Sequence, residues 1–114
     1  MNTLSIEAAQ AAIICLGTTV AMGTESDEED WQMMIKLQQM LRQKLQHSYE
    51  SEENDIILEL SDSEQHWFDC AMSYGILFYG VCDNIDSEYL LEIAKIVKDD
   101  DLTNQIEEYT KMWD

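Results

Sequence analysis

A chain of 114 residues with 24 Asp and Glu against six Lys and Arg carries a formal net charge of −18. That balance excludes direct binding to nucleic acid or to an anionic membrane, because phosphate contacts need Lys and Arg. A hydrophobic content of 46% excludes a disordered acidic tail and suits one domain able to fold without disulfides or metal.

Pro is absent and Gly occurs four times, so turn breakers are scarce. The expectation is an all-α fold: a single domain over 1–114, a bundle of four to six helices with a central apolar helix near 62–82. The first helix starts near Thr3 or Ser5, whose hydroxyls can cap orphan amides. Ile6, Ala9, Ile13, Leu16 and Val20 form its stripe, and Gly23 is placed to end it. Ala8 to Met22 is too short to cross a bilayer, which takes about 20 residues, and no basic residue precedes it as in a signal peptide. A second helix runs from about Asp27 to His47 behind a Ser26/Glu29 capping box. Trp31, Met34, Leu37 (or Gln38) and Leu41 face inward, flanked by Ile35 and Leu45.

Residues 48–55 are the most polar stretch and read as a flexible connection. Ile56, Ile57, Leu58 and Leu60 follow; with no second strand in view, they read as a helical turn or an apolar loop. Ser61 and Glu64 form a capping box for the third helix, 62–82. Trp67, Ala71, Tyr74, Phe78 and Val81 line one face, and Phe68, Met72, Gly75, Tyr79 and Cys82 the other. Apolar on both sides, it belongs in the centre of a bundle. Asp86 precedes a fourth helix, 87–98, with Leu90, Ile93, Ala94 and Val97 inward. A last helix carries Leu102, Ile106, Tyr109 and Trp113. The core is expected to bury Ile13, Leu16, Met34, Trp67, Phe68, Ala71, Phe78 and Ile93.

No catalytic set emerges: there is no Gly-rich phosphate loop, nucleophile elbow or HExxH, and a non-enzyme is expected. Asp69, within Trp67-Phe68-Asp69-Cys70-Ala71, is the one carboxylate on an apolar helix, and is placed at an exposed edge or as an acceptor from another helix. Cys15, Cys70 and Cys82 lie in apolar stretches without CxxC spacing, which suits core thiols in a reducing cytoplasm and no metal or cofactor.

Charge distribution says more. Between Leu45 and Ala94 stand twelve acids and no Lys or Arg, and residues 1–30 hold six acids and again no Lys or Arg. Such a field steers a cationic partner. In size, helicity, charge, thiol usage and lack of catalytic motif, the chain resembles the small acidic helical immunity proteins that bacteria pair with nuclease toxins, including those of contact-dependent growth inhibition. That resemblance implies a basic protein partner, a toxin nuclease domain, neutralised by occlusion of its nucleic-acid-binding or active-site surface. It rests on no motif, so it transfers no residue. The turns Gly23–Asp30 (GTESDEED) and Cys82–Tyr89 (CDNIDSEY) resemble the acidic turn of TerB-like tellurite-resistance domains. This alternative implies a divalent-metal-binding or stress-response domain. Gly23-Thr24 and Asp83-Asn84 stand where that family has Asp-Gly.

The expected partner surface is Glu50, Glu52, Glu53, Asp55, Glu59, Asp62 and Glu64, seven acids in fifteen residues. Asp27, Glu28 and Asp30 are the second choice, and Tyr49 and Trp31 are the candidate aromatic anchors.

Overall fold

The computed structural model describes residues 2–22, 28–77, 85–97 and 100–113. Among these are five helices and a two-stranded sheet: β1 (Asn2–Ser5), α1 (Ile6–Met22), α2 (Glu28–Glu50), β2 (Asp55–Leu58), α3 (Asp62–Leu77), α4 (Ser87–Val97) and α5 (Asp100–Trp113). The helical bundle expected from the sequence is present. All seven elements contribute buried side chains to one hydrophobic cluster.

The sheet corrects the reading of 56–60 as a turn or loop. β1 and β2 pair antiparallel, with Asn2 opposite Leu58, Thr3 opposite Ile57, Leu4 opposite Ile56 and Ser5 opposite Asp55. Leu4, Ile56 and Leu58 are buried while Thr3 and Ile57 face out, the period-two alternation of a half-buried sheet. Burying three large apolar side chains on one face holds the pairing together.

Chain direction changes from strand to helix at Ser5. Its hydroxyl accepts from the Ala8 amide at 3.2 Å, the N-cap geometry, while the Glu92 carboxylate of α4 accepts from the Ser5 amide (2.6 Å) and hydroxyl (2.9 Å). One serine thus fixes the angle between sheet, α1 and α4.

The centre of the bundle is shared. α3 packs against α1, α2 and α4, and α1 touches α2, α3, α4 and both strands. Ala8, Ala9, Ala11, Ala12, Cys15 and Leu16 are buried, so small residues around much of α1 let its neighbours approach. Ile6, Ile13 and Val20, expected to lead the stripe, are only partly buried. The tightest crossing is Gly75 against Cys15, where a Cβ on Gly75 would lie 3.1 Å from Cys15 Cβ and 3.2 Å from its Cα and carbonyl oxygen. Thr19 closes the same crossing, its buried hydroxyl lying 2.8 Å from the Cys15 carbonyl and 3.0 Å from that of Ala71. Gly75→Ala should therefore destabilise the protein in urea titration. Overpacking of about 1–3 kcal/mol against backbone outweighs the gain of about 1 kcal/mol in helix propensity.

Leu16, Met34, Phe68, Ala71 and Ile93 are buried as expected. Ile13 and Trp67 are corrected to partly buried residues at the margin of the core. Met34, Leu37 and Leu41 form the inward face of α2 as expected, joined by Leu45, while Trp31 at the start of the helix is corrected to an exposed position. Tyr74 is likewise corrected to an exposed position, because α3 turns Phe68, Met72 and Ile76 to the core. The Ser61/Glu64 capping box is formed, with Ser61 N donating to Glu64 Oε1 (2.9 Å) and Glu64 N to Ser61 Oγ (3.2 Å). In α4, Leu90, Ile93, Ala94 and Val97 are buried, as are Leu102 and Ile106 in α5. The Gly23 cap, the Ser26/Glu29 box, Phe78 and the end of the third helix near 82 lie outside the described residues, as do the side chains of Tyr109 and Trp113.

Candidate partner-binding surface

The acidic stretch is not a flexible connection; this too corrects the sequence reading. α2 continues through Ser48 and Tyr49 to Glu50, and the chain leaves it through a paired main-chain cap. Glu53 N donates to the Ser48 carbonyl (2.9 Å) and Glu52 N to that of Tyr49 (3.4 Å), with Glu52 at a φ of 55°. These are the two bonds of a Schellman motif with glutamate at the left-handed position that glycine usually takes. The Ser48 hydroxyl then lies 3.4 Å from the Asp55 carbonyl, tying the helix end to the strand. Buried Ser48 ends the inward face of α2 and serves both bonds. Replacing Glu52 by Gly should raise stability by about 0.5–1 kcal/mol, through relief of left-handed strain less the entropy of an added glycine. Thermal denaturation at fixed ionic strength checks it.

Residues Glu50, Glu52, Glu53, Asp55, Glu59 and Asp62 are exposed along this cap, strand and helix start. Glu50 accepts from the Gln46 amide one turn earlier (3.1 Å), whereas the cap bonds of Glu52 and Glu53 are made by the main chain. Their carboxylates are thus displayed by bonds that do not use them. Glu64 is the exception, since its carboxylate is engaged in the capping box.

Tyr49 is half exposed beside the cap, its hydroxyl 2.6 Å from the Gln10 amide nitrogen of α1. Trp31 is exposed and its indole N–H donates to the Val20 carbonyl (3.2 Å), pegging the start of α2 to the end of α1. Glu28 is exposed and Asp30 half-buried at the same end, while Asp27 lies outside the described residues. At the helical rise of about 1.5 Å per residue, Trp31 and Tyr49 are separated by about 27 Å along α2. The structure therefore gathers Tyr49 with the Glu50–Asp62 acids and leaves Trp31, Glu28 and Asp30 as a separate patch.

Between the C-terminal half of α2 and β2 runs an open groove of about 710 Å³ lined by Met40, Gln43, Lys44, His47, Ser48, Glu53, Ile56, Ile57 and Glu59. Of the two strand isoleucines in its wall, Ile56 is buried and Ile57 is half exposed. Sequence reasoning missed this groove, although the β-branched pair Ile56-Ile57 between acids was a signal for an edge strand.

Asp69 accepts from the Gln65 amide (2.6 Å), which also donates to the Ile96 carbonyl of α4 (3.2 Å), so Asp69 orients an interhelical tie. Cys70 is half-buried, 4.0 Å from His66 Nε2. Burial, then the carboxylates of Asp69 and Asp30, push its thiol above the usual range, so it stays protonated at neutral pH. Cys15 is buried and Cys82 lies outside the described residues. Desolvation and then Glu88, Glu7, Asp86 and Glu92 push the Tyr89 phenol up, marking a further dense negative field where α1 meets α4.

Among the described residues, no buried side-chain polar atom lacks a partner and no three His, Cys, Asp or Glu converge on a metal position. Half of the two acidic turns that resemble TerB-like domains, residues 23–27 and 82–84, lies outside them. No helix among the described residues is long and apolar enough to cross a membrane. No family model, curated protein or solved structure matches this chain.

Proposed function

We propose that this chain is an acidic binding protein that neutralises a basic protein partner, acting as an immunity-type inhibitor of a nuclease toxin. The observation that carries the reading is the ridge from Glu50 to Asp62, where exposed carboxylates stand on a main-chain cap and a paired strand. A rigid acidic ridge presents to a nuclease what its phosphate-binding groove is built to receive. With the main chain already ordered, docking has only side-chain freedom to remove, and a net charge of −18 accelerates encounter with a cationic surface.

The test is protection. The reading predicts a gene for a basic nuclease domain beside the gene for this chain. Co-expression should restore growth of cells carrying that domain, and the purified pair should associate at a rate that falls steeply as ionic strength rises. Absence of association at low salt would overturn the reading. A salt-insensitive rate would remove the electrostatic mechanism.

A further inference from the structure

Among the described residues the sheet has two strands, which leaves β2 with a second edge. In an antiparallel ladder, residue pairs alternate between those that exchange main-chain hydrogen bonds and those that point these groups outward. Ile6 N donates to the Asn54 carbonyl (3.3 Å), which continues the register and makes Leu4–Ile56 and Asn2–Leu58 the bonded pairs. Ser5 N is consistently turned outward, to Glu92. The amide and carbonyl of Ile57 therefore point away from β1, on the side where the groove lies against α2. At Asp55 the Ser48 hydroxyl occupies this edge, so it opens at Ile57 and continues toward Glu59.

We propose that this edge and the groove beside it take an extended cationic segment of the protein partner as a third strand, with the pattern cation–x–apolar–x–cation. Asp55, Ile57 and Glu59 are the exposed residues of an alternating run, so a strand paired with Ile57 sets an apolar residue beside it and its next same-face neighbours near Asp55 and Glu59. Among the described residues, Lys44 is the one Lys or Arg in the groove wall, against Glu53 and Glu59 there and further carboxylates on the flanking cap and helix. A second copy of the chain is a poor occupant. Antiparallel pairing of two β2 edges about Ile57 would set Asp55 against Glu59 twice and bring together two molecules of charge −18.

The inference rests on the reading of the partner as basic, and its test needs no toxin. The probe is an acetylated, amidated peptide, Thr-Lys-Thr-Val-Thr-Lys-Thr, titrated into the isotopically labelled full chain at low ionic strength. Amide shifts at Ile57 and Glu59 are expected. Affinity should fall about tenfold or more when the main-chain amide facing Ile57 is N-methylated, and comparably when Glu replaces both peptide lysines. Ile57→Pro should abolish binding while sparing the sheet, since the Ile57 N–H is not used in the ladder. N-methylation carries no folding risk and keeps the test valid if that variant unfolds. Equal affinity of the N-methylated peptide, or shifts confined to other surfaces, would overturn strand addition. So would concentration-dependent dimerisation of the free chain lost in Ile57→Pro, which would assign the edge to a second copy. Failure here with growth protection intact would remove the strand and leave the acidic inhibitor; success without protection would do the reverse.

Discussion

Truncating Phe68 to alanine should cost about 3–5 kcal/mol of folding stability. Among the described residues, Phe68 is the bulkiest of the fully buried side chains, on the face of α3 that carries Ala71 and Met72 into the same cluster as α1 and α4. Its ring is lost together with the contacts of the cavity lining, and close packing at the Gly75–Cys15 crossing hinders collapse into the space. Domains of this size hold about 5–15 kcal/mol in all, so the variant should approach half-unfolding in very little urea. Phe68→Leu, which keeps much of the volume, should cost clearly less. Urea midpoints with unchanged slopes test both; a loss below about 1 kcal/mol in the alanine variant would contradict the packing of α3.

The second large effect concerns binding. Reversing Glu52, Glu53 and Asp55 together to lysine should leave the fold intact and cut affinity for the basic partner by orders of magnitude. The fold is spared because the bonds that residues 52, 53 and 55 contribute to the cap and strand come from the main chain. Removing negative charge also relieves self-repulsion. Affinity falls because a carboxylate buried against Arg or Lys in a complex costs about 2–5 kcal/mol when lost. The same reversal of Glu28 and Asp30, at the far end of α2, should slow association and change dissociation little. Melting temperature and both rate constants, measured side by side, separate these outcomes. Unchanged affinity at low salt in the triple variant would remove the ridge from the binding surface.

Helices were readable from the sequence because their signals are local. Capping residues sit within a turn of the amides they serve, as at Ser5 and Ser61, and the spacing of Leu90, Ile93, Ala94 and Val97 specifies a buried face without reference to anything else. The sheet was not readable for the opposite reason. β1 is a four-residue segment with one apolar side chain, Leu4, and its partner lies more than fifty positions away, so nothing nearby marks it as a strand. Exposed Ile57 also breaks the alternation that would have marked β2. The acidic ridge was legible as charge; its order was not. Polar composition at 48–55 suggested mobility, while the structure closes the segment with three main-chain bonds around a left-handed glutamate that no propensity favours.

The crossing of Gly75 on Cys15 gives the molecule an internal clock. The Cys15 thiol sits with no solvent exposure where two helix backbones nearly touch, so a thiol reagent meets it only when α1 and α3 part. With Cys70 and Cys82 replaced by alanine, the rate of Cys15 alkylation reports how often the bundle opens. At low reagent concentration it measures the equilibrium population of the open form, and at high concentration the opening rate itself. A partner that docks on β2 and the end of α2, without touching α3, would slow that clock only by stabilising the whole domain.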